Sequence, residues 1–220
     1  MKEFVLATTN KGKLEEFNEM GKKVGIKFTT IDMPEIEENG TTFEENSLIK
    51  AKAISKITNM PVVADDSGLC IECLPDELGL HTARFLNHLP MKERCLELIK
   101  KVDEKNTTRD AYFVCVITLI YPDGKYYHFR GETYGSISKT YSGENGHGYD
   151  PVFYSNDIQK TFGMASITEK DSVSHRGRAF KKFEEFFYDK LWFNLWRFRE
   201  YKINRSYNKF KKKIKKNWYK

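Results

Sequence analysis

The stretch Val62-Val63-Ala64-Asp65-Asp66-Ser67-Gly68-Leu69 constrains the fold more than any other part of the sequence. A run of small and branched apolar residues meets two adjacent carboxylates, then a Ser-Gly pair, then a second apolar run from Leu69 to Cys73. The pattern predicts a buried strand, closed by a Ser-Gly turn, whose end delivers acid groups to a cleft. In open α/β sheets ligands collect at the carboxyl ends of strands. Two neighbouring Asp residues cannot both enter a core unless something positive pairs with them, because desolvating a carboxylate is costly. A divalent cation, a lysine or a polar turn would each serve. The alternative is a solvated Asp-Asp turn between strands.

The flanking sequence supplies the partners for such a strand. Phe4 to Ala7 predicts a short buried strand, broken by Thr8-Thr9-Asn10, residue types that cap helices well. Leu14, Phe17 and Met20 then recur at helical spacing to about Lys23. This strand-to-helix junction gathers helix amides, an Asn side chain and Lys13, which suits a phosphate, although the GxxxxGK[ST] pattern of a P-loop is absent. Lys27 to Asp32 alternates as a second strand, and the acidic loop Pro34 to Gly40 follows. Thr42 and Glu45 have capping-box spacing at the start of a helix whose apolar row is read as Ile49, Ala53 and Ile57. Asn46 and Lys50 share one face of it, and Lys50 either snorkels at the surface or points at Asp65-Asp66.

Further on, Leu78 to Phe85 reads as a loop with Gly79 and Arg84, and Met91 to Val102 as a helix with Leu96, Ile99 and Val102 on its apolar side. Asp110 to Tyr121 and Lys125 to Arg130 form a hairpin around Pro122-Asp123-Gly124. A long antiparallel hairpin beside earlier strands predicts a mixed sheet. Gly131, Gly135, Gly143, Gly146 and Gly148 punctuate what reads as a loop-rich region ending in Tyr149-Asp150-Pro151. Ser172 to Arg176 caps a last helix with Phe180, Phe183, Phe187 and Leu191 at core spacing.

Length and composition fit one α/β domain with a real core: 220 residues, 40% hydrophobic and 14% aromatic. No apolar run approaches the length of a transmembrane helix, and the N-terminus enters a strand without a leader pattern. Cys70, Cys73, Cys95 and Cys115 are scattered, which predicts reduced thiols and a cytoplasmic location. The net charge of +6 is unevenly placed. Residues 191–220 hold eleven Lys/Arg and one acid, net +10, which leaves residues 1–190 with 26 basic and 30 acidic residues, net −4. The expected division is therefore a domain over 1–190 and a basic, aromatic extension over 191–220 able to meet nucleic acid or an anionic membrane.

Seven motifs in order carry a resemblance. They are Ala7 to Lys13, Glu38 to Asn46 with Lys50-Ala51, Ala64 to Leu69, Thr82 to Phe85, Phe129-Arg130-Gly131, Gly148 to Pro151, and Ser174-His175-Arg176. On these the chain resembles the inosine triphosphate pyrophosphatase family, over residues 1 to about 190. The resemblance implies an elongated α/β fold, a mixed β-sheet with flanking helices and two lobes around a central cleft, and a homodimer. It implies Mg²⁺-dependent cleavage of deaminated purine nucleoside triphosphates between the α and β phosphates. Carried over by motif, Thr8, Thr9, Asn10, Lys13 and Lys50 bind the triphosphate. Glu38 and Asp66 hold Mg²⁺, Asp66 is the base for the attacking water with Lys50 as the other catalytic group, and Ser67 and Arg84 touch substrate. His147, Gly148, Tyr149, Asp150, Lys170, His175 and Arg176 enclose sugar and base.

The sequence departs from the family pattern at three places. His147 stands where an aromatic usually stacks on the base. Asp76 to His81 replaces a Gly-Gly-x-Pro-Gly loop. The extension after about Lys190 lies outside the pattern. Two other readings share some features: an enzyme of related fold acting on modified pyrimidine triphosphates, which lacks the Ser-His-Arg ending, and a basic binding module in which the extension is the function.

Overall fold

The computed structural model describes residues 2–188. The extension over 191–220, and Leu191 of the predicted core row, lie outside the described residues. The chain divides into two compact units, residues 1–182 and 183–220.

The first unit opens with strand β1 (Lys2–Leu6), helix α1 (Lys11–Lys22) and strand β2 (Ile26–Thr29). Helix α2 (Phe43–Ser55) leads to β3 (Val62–Ile71), and a 3-10 turn at Gly79–His81 leads to α3 (Met91–Lys105). The hairpin β4 (Asp110–Ile120) and β5 (Tyr126–Ile137) precedes two short strands, β6 (Phe153–Ser155) and β7 (Lys160–Thr161). Helix α4 (Ile167–Val173) and a helix over 175–182 (α5) complete it. In the second unit, residues 183–188 are helical and the Phe183 and Phe187 rings lie 6.3 Å apart.

The strands form one seven-stranded sheet of order β2-β1-β3-β4-β5-β6-β7. β1 pairs parallel with β2 and β3, and every pairing from β3 to β7 is antiparallel, so the predicted mixed sheet is present. Alternation in the strands sorts two cores. Phe28, 6.0 Å from the Phe4 ring, faces α1 and α5, where it meets Phe17 and Phe180 in ring contacts of 5.3 and 6.1 Å. Val5, Val62 and Ala64 face the other way, onto Ala51 and Ile54 of α2.

Several local expectations are corrected. No turn follows Asp65-Asp66: β3 runs unbroken through Ser67 and Gly68, paired with β4 along its whole length. β1 accompanies β3 only at Val62 and Val63. Beyond that point one edge of β3 is open to the Thr82 hydroxyl, which accepts from Leu69 N–H at 2.9 Å. Gly68 permits this approach, since a Cβ there would stand 2.2 Å from the Gly79 carbonyl oxygen. β5 continues past Arg130 to Ile137, and Gly131 belongs to the strand because α5 crosses it: a Cβ would stand 2.2 Å from His175 O.

In α2 the buried face is Phe43, Ser47, Ala51 and Ile54, not the predicted row, and Ile57 is 56% exposed. Counting only aliphatic residues missed Ser47, whose hydroxyl meets Thr118 Oγ1 at 2.5 Å against β4. Thr42 caps Glu45 N–H, but the Glu45 carboxylate turns to the Thr41 amide and hydroxyl. In α3 Leu96 is exposed, and Cys95, Leu98, Ile99 and Val102 are buried.

Candidate active site

The site is assembled where β1 ends and β3 runs on past it, paired with β4 only. Asn10 caps α1, its side chain accepting from Lys13 N–H at 3.2 Å, and Thr8 Oγ1 accepts from Asn10 N–H at 3.1 Å. The cap fixes Lys13 in the first turn with its ammonium near β3. Asp65 is 1% exposed, and the Lys13 ammonium lies 3.0 and 2.9 Å from its two oxygens. Arg176, at the start of α5, donates to Asp65 Oδ2 at 3.3 Å and to Ser67 Oγ at 3.2 Å, with its other terminal nitrogen 2.8 Å from Glu16. Burial opposes ionisation of Asp65, but Lys13, Arg176 and Lys50 outweigh it and hold its carboxyl well below the usual range.

The next residue in the strand turns to the opposite face. Asp66 meets α2, where Lys50 Nζ lies 3.6 Å from Asp66 Oδ1 and 2.8 Å from Glu38 Oε2. Glu38 is brought there by the 34–40 loop, which Asn46 ties down by accepting from Gly40 N–H at 2.8 Å. Asp66 Oδ1 accepts from Ser67 N–H, while Oδ2 is buried without a hydrogen-bond partner among the described residues. Burial first, and Glu38 second among the causes that raise it, push the Asp66 pKa up against the pull of Lys50.

A cleft of about 510 Å³ joins these groups. Its lining includes Asn10, Lys13, Glu38, Lys50, Asp66, Ser67, Arg84, His147, Gly148, Tyr149, Asp150, His175 and Arg176. Thr8 and Thr9 stand just before it, at the strand–helix junction, and are not part of its lining. Lys170 lines an adjoining cavity of about 560 Å³, which shares Asn10, Lys13 and His147 with the first.

Four of these residues have duties inside the protein. Asp150 and Lys170 are both buried and paired at 2.6 Å, and the same Asp150 oxygen accepts from His147 N–H at 2.7 Å. The Tyr149 ring is buried edge-on to Phe85, with centroids 6.5 Å apart. The His175 ring stacks on Phe113 at 4.8 Å and 13°. Burial, then the neighbouring Arg176 and Lys170 charges, push the His175 pKa well below the ordinary value, so the ring is neutral.

Arg94 and Phe113 line the cleft without having been singled out in the sequence. Arg94 donates from Nη2 to the Thr82 and Ala83 carbonyls at 3.3 and 2.9 Å, tying the segment that carries Arg84 to α3. No local pattern marks it, because a charged residue on an amphipathic helix looks the same whether it faces water or a cleft.

Among the described residues no three His, Cys, Asp or Glu side chains gather to hold a metal. The pair Glu38 and Asp66 nevertheless fits a hard cation. Both carboxylates reach one ammonium, and Asp66 Oδ2 is a buried oxygen in need of a partner. Mg²⁺ commonly takes one or two carboxylates and completes its shell with water and substrate phosphates.

The Ham1 family model matches residues 4–186. The chain is 38% identical to a dITP/XTP pyrophosphatase of Bacillus anthracis, over 84% of this chain and 96% of that one. It is 37% identical to the dITP/XTP pyrophosphatase of Staphylococcus aureus strain MRSA252, again over 84% and 96%. Among solved structures it is similar to a HAM1 protein from Coxiella burnetii, with TM-score 0.78 and 35% identity over 86% of this chain and all of that one. The Staphylococcus aureus Ham1 protein gives 0.76 and 36% over the same shares.

Proposed function

The chain belongs to the Ham1 family, and from that premise we propose that it is a pyrophosphatase of deaminated purine nucleoside triphosphates. It hydrolyses inosine, deoxyinosine and xanthosine triphosphates to the monophosphate and pyrophosphate, which keeps these nucleotides out of DNA and RNA. One observation carries the reading. A single cleft holds two cations, Lys13 and Lys50, two carboxylates from separate elements, Glu38 and Asp66, and the His175-Arg176 pair.

Each group has a task in phosphoanhydride hydrolysis. Lys13 and Lys50 oppose the charge that develops on the phosphates. Glu38 and Asp66 are the residues that would hold Mg²⁺, which when bound would offset phosphate charge and lower the pKa of the attacking water. Asp66, raised in pKa by burial, accepts the proton of that water as general base. Arg176 lines the cleft with its terminal nitrogens engaged by Glu16, Asp65 and Ser67, and it and neighbouring backbone amides are the candidates to donate to the 6-keto oxygen. A donor aimed there meets the amino group of adenine unfavourably, which supports selection against ATP. Asp150, held by Lys170 and the His147 amide, shapes the wall of the nucleoside end.

A homodimer and a cytoplasmic location remain part of this reading. In the described residues no helix is long and apolar enough to cross a membrane. The extension over 191–220 is read as an accessory binder of nucleic acid or anionic lipid, supported by its net charge of +10.

The test is pyrophosphate release from a panel of nucleoside triphosphates with and without Mg²⁺. Inosine and xanthosine triphosphates should be cleaved far faster than ATP or GTP, and only with the metal. Equal rates on all purine triphosphates would remove the selectivity, and release of single phosphates would remove the bond assignment.

A further inference from the structure

Asp65 is the one acid of the central strand that substrate cannot reach. It is 1% exposed and absent from the cleft lining, although Asp66 and Ser67 beside it both line the cleft. Strand alternation gives the reason: Asp66 faces α2, and Asp65 faces α1 and α5. There it touches two cations that do line the cleft. The Lys13 ammonium bridges both of its oxygens at 3.0 and 2.9 Å, and Arg176 reaches Oδ2 at 3.3 Å. These cations come from the two ends of the domain, the first turn of α1 and the first turn of α5, 163 residues apart in number. Nothing else in the strand ties them together, since the Ser67 hydroxyl reaches Arg176 alone and Glu16 pairs with Arg176 from α1.

We propose that Asp65 is a positioning residue that sets Lys13 and Arg176 at a fixed separation, so that the phosphate end and the nucleoside end of the substrate are measured against one buried carboxylate. The inference rests on the pyrophosphatase reading and extends it to a residue outside the cleft. Lysine and arginine side chains are long and rotamer-rich, and holding both from behind removes that freedom before substrate arrives. A bridging ammonium and a guanidinium on one carboxylate leave neither free to swing. Asp65 thus acts on binding, through two other residues, while Asp66 on the far face acts on the water.

The opposite faces make the roles separable by kinetics. Asp65→Asn keeps the side-chain shape and removes the charge that holds both cations. It is expected to raise KM for inosine triphosphate at least about tenfold while kcat stays within about threefold of the parent, the pattern of lost ground-state binding. Asp66→Asn should show the reverse split. In a Lys13→Gln background, Asp65→Asn should raise KM by much less than it does alone, because part of its effect runs through Lys13. If Asp65→Asn does not fold, Asp65→Glu keeps the charge, displaces it by one methylene and should still raise KM. A lowered melting temperature with KM unmoved in the folded variant would overturn the proposal and leave Asp65 a purely structural tie. A collapse of kcat at unchanged KM would overturn it in favour of a role in the chemistry. A parent that releases no pyrophosphate rejects the activity itself, whereas an active parent with an unmoved KM in the variant rejects only the role of Asp65.

Discussion

The Lys170 ammonium lies 2.6 Å from Asp150 Oδ2, and both side chains are buried. Asp150 lines the cleft and Lys170 the adjoining cavity, and the same carboxylate oxygen anchors the 145–149 segment through His147 N–H. Asp150 therefore acts first on the protein. Asp150→Asn leaves a buried ammonium without its counter-charge, a change that typically costs about 3–5 kcal/mol. A marked drop in the denaturation midpoint, with a larger KM in the surviving folded fraction, is expected. Unchanged stability would show that the pair is dispensable.

Asp66 is the proposed base. Asp66→Asn keeps the shape, removes the proton acceptor and removes one carboxylate of the metal pair. Turnover should fall by at least ~10²-fold, the low end for general-base catalysis, with melting temperature near that of the parent. Near-parental turnover would move the base to another group, with Glu38 the first candidate because it shares Lys50.

His147 stands where both cavities meet, exposed at the mouth of the cleft. Phe offers a larger apolar face than imidazole, and base–aromatic stacking is worth about 1–3 kcal/mol per base. His147→Phe should lower KM for inosine triphosphate with little change in kcat. Unchanged KM with reduced kcat would place His147 in the chemistry.

The neutral His175 makes stability depend on pH with a definite sign. Its folded pKa is far below the ordinary 6.5, through burial first and then the Arg176 and Lys170 charges. Between those two values the unfolded chain binds a proton that the folded chain does not. The His175 contribution is therefore flat above about pH 7, and stability falls as pH drops through that window, by up to about 1.4 kcal/mol per pH unit from this group. His147 and His128 are also lowered, so they contribute with the same sign. His175→Phe keeps a ring against Phe113 and should flatten part of the slope in melts between pH 8 and pH 5. A slope identical to the parent's would show that His175 titrates normally.

Gly68 holds the open edge of β3 against the 79–82 turn. A Cβ there would stand 2.2 Å from Gly79 O and 2.9 Å from Gly79 C, both backbone atoms. Gly68→Ala should destabilise by at least about 1–3 kcal/mol, the usual range for overpacking. It should also raise KM by displacing Thr82 and the Arg84 segment. A melt superimposable on the parent's would mean that the turn moves away freely.

Much of the frame was legible from residue types alone, because its signals are local. The capped start of α1 at Asn10, the hairpin around Pro122-Asp123-Gly124 and the mixed sheet all follow from short-range patterns. The cleft residues were legible as a set of ordered motifs, and most of them do line one cavity. The errors share a cause. The expected Ser-Gly turn after Asp66, the loop at Gly131 and the row through Ile57 each treated a residue by its own propensity, whereas a neighbouring element decided its state.

By itself, then, the sequence determined which chemical groups the protein owns and roughly which elements carry them. Propensity, capping and apolar period act over a few residues and need no partner. Tertiary structure alone decided that Asp65 is a buried anchor for Lys13 and Arg176, that Asp150 and Lys170 satisfy each other, and that Arg94 reaches the cleft at all. These depend on distances between elements far apart in the chain: a strand that outruns its neighbour, and two helices packed on opposite faces of it. Side-chain alternation turns that packing into function, because one residue of shift along β3 exchanges a buried anchor for an acid that lines the cleft.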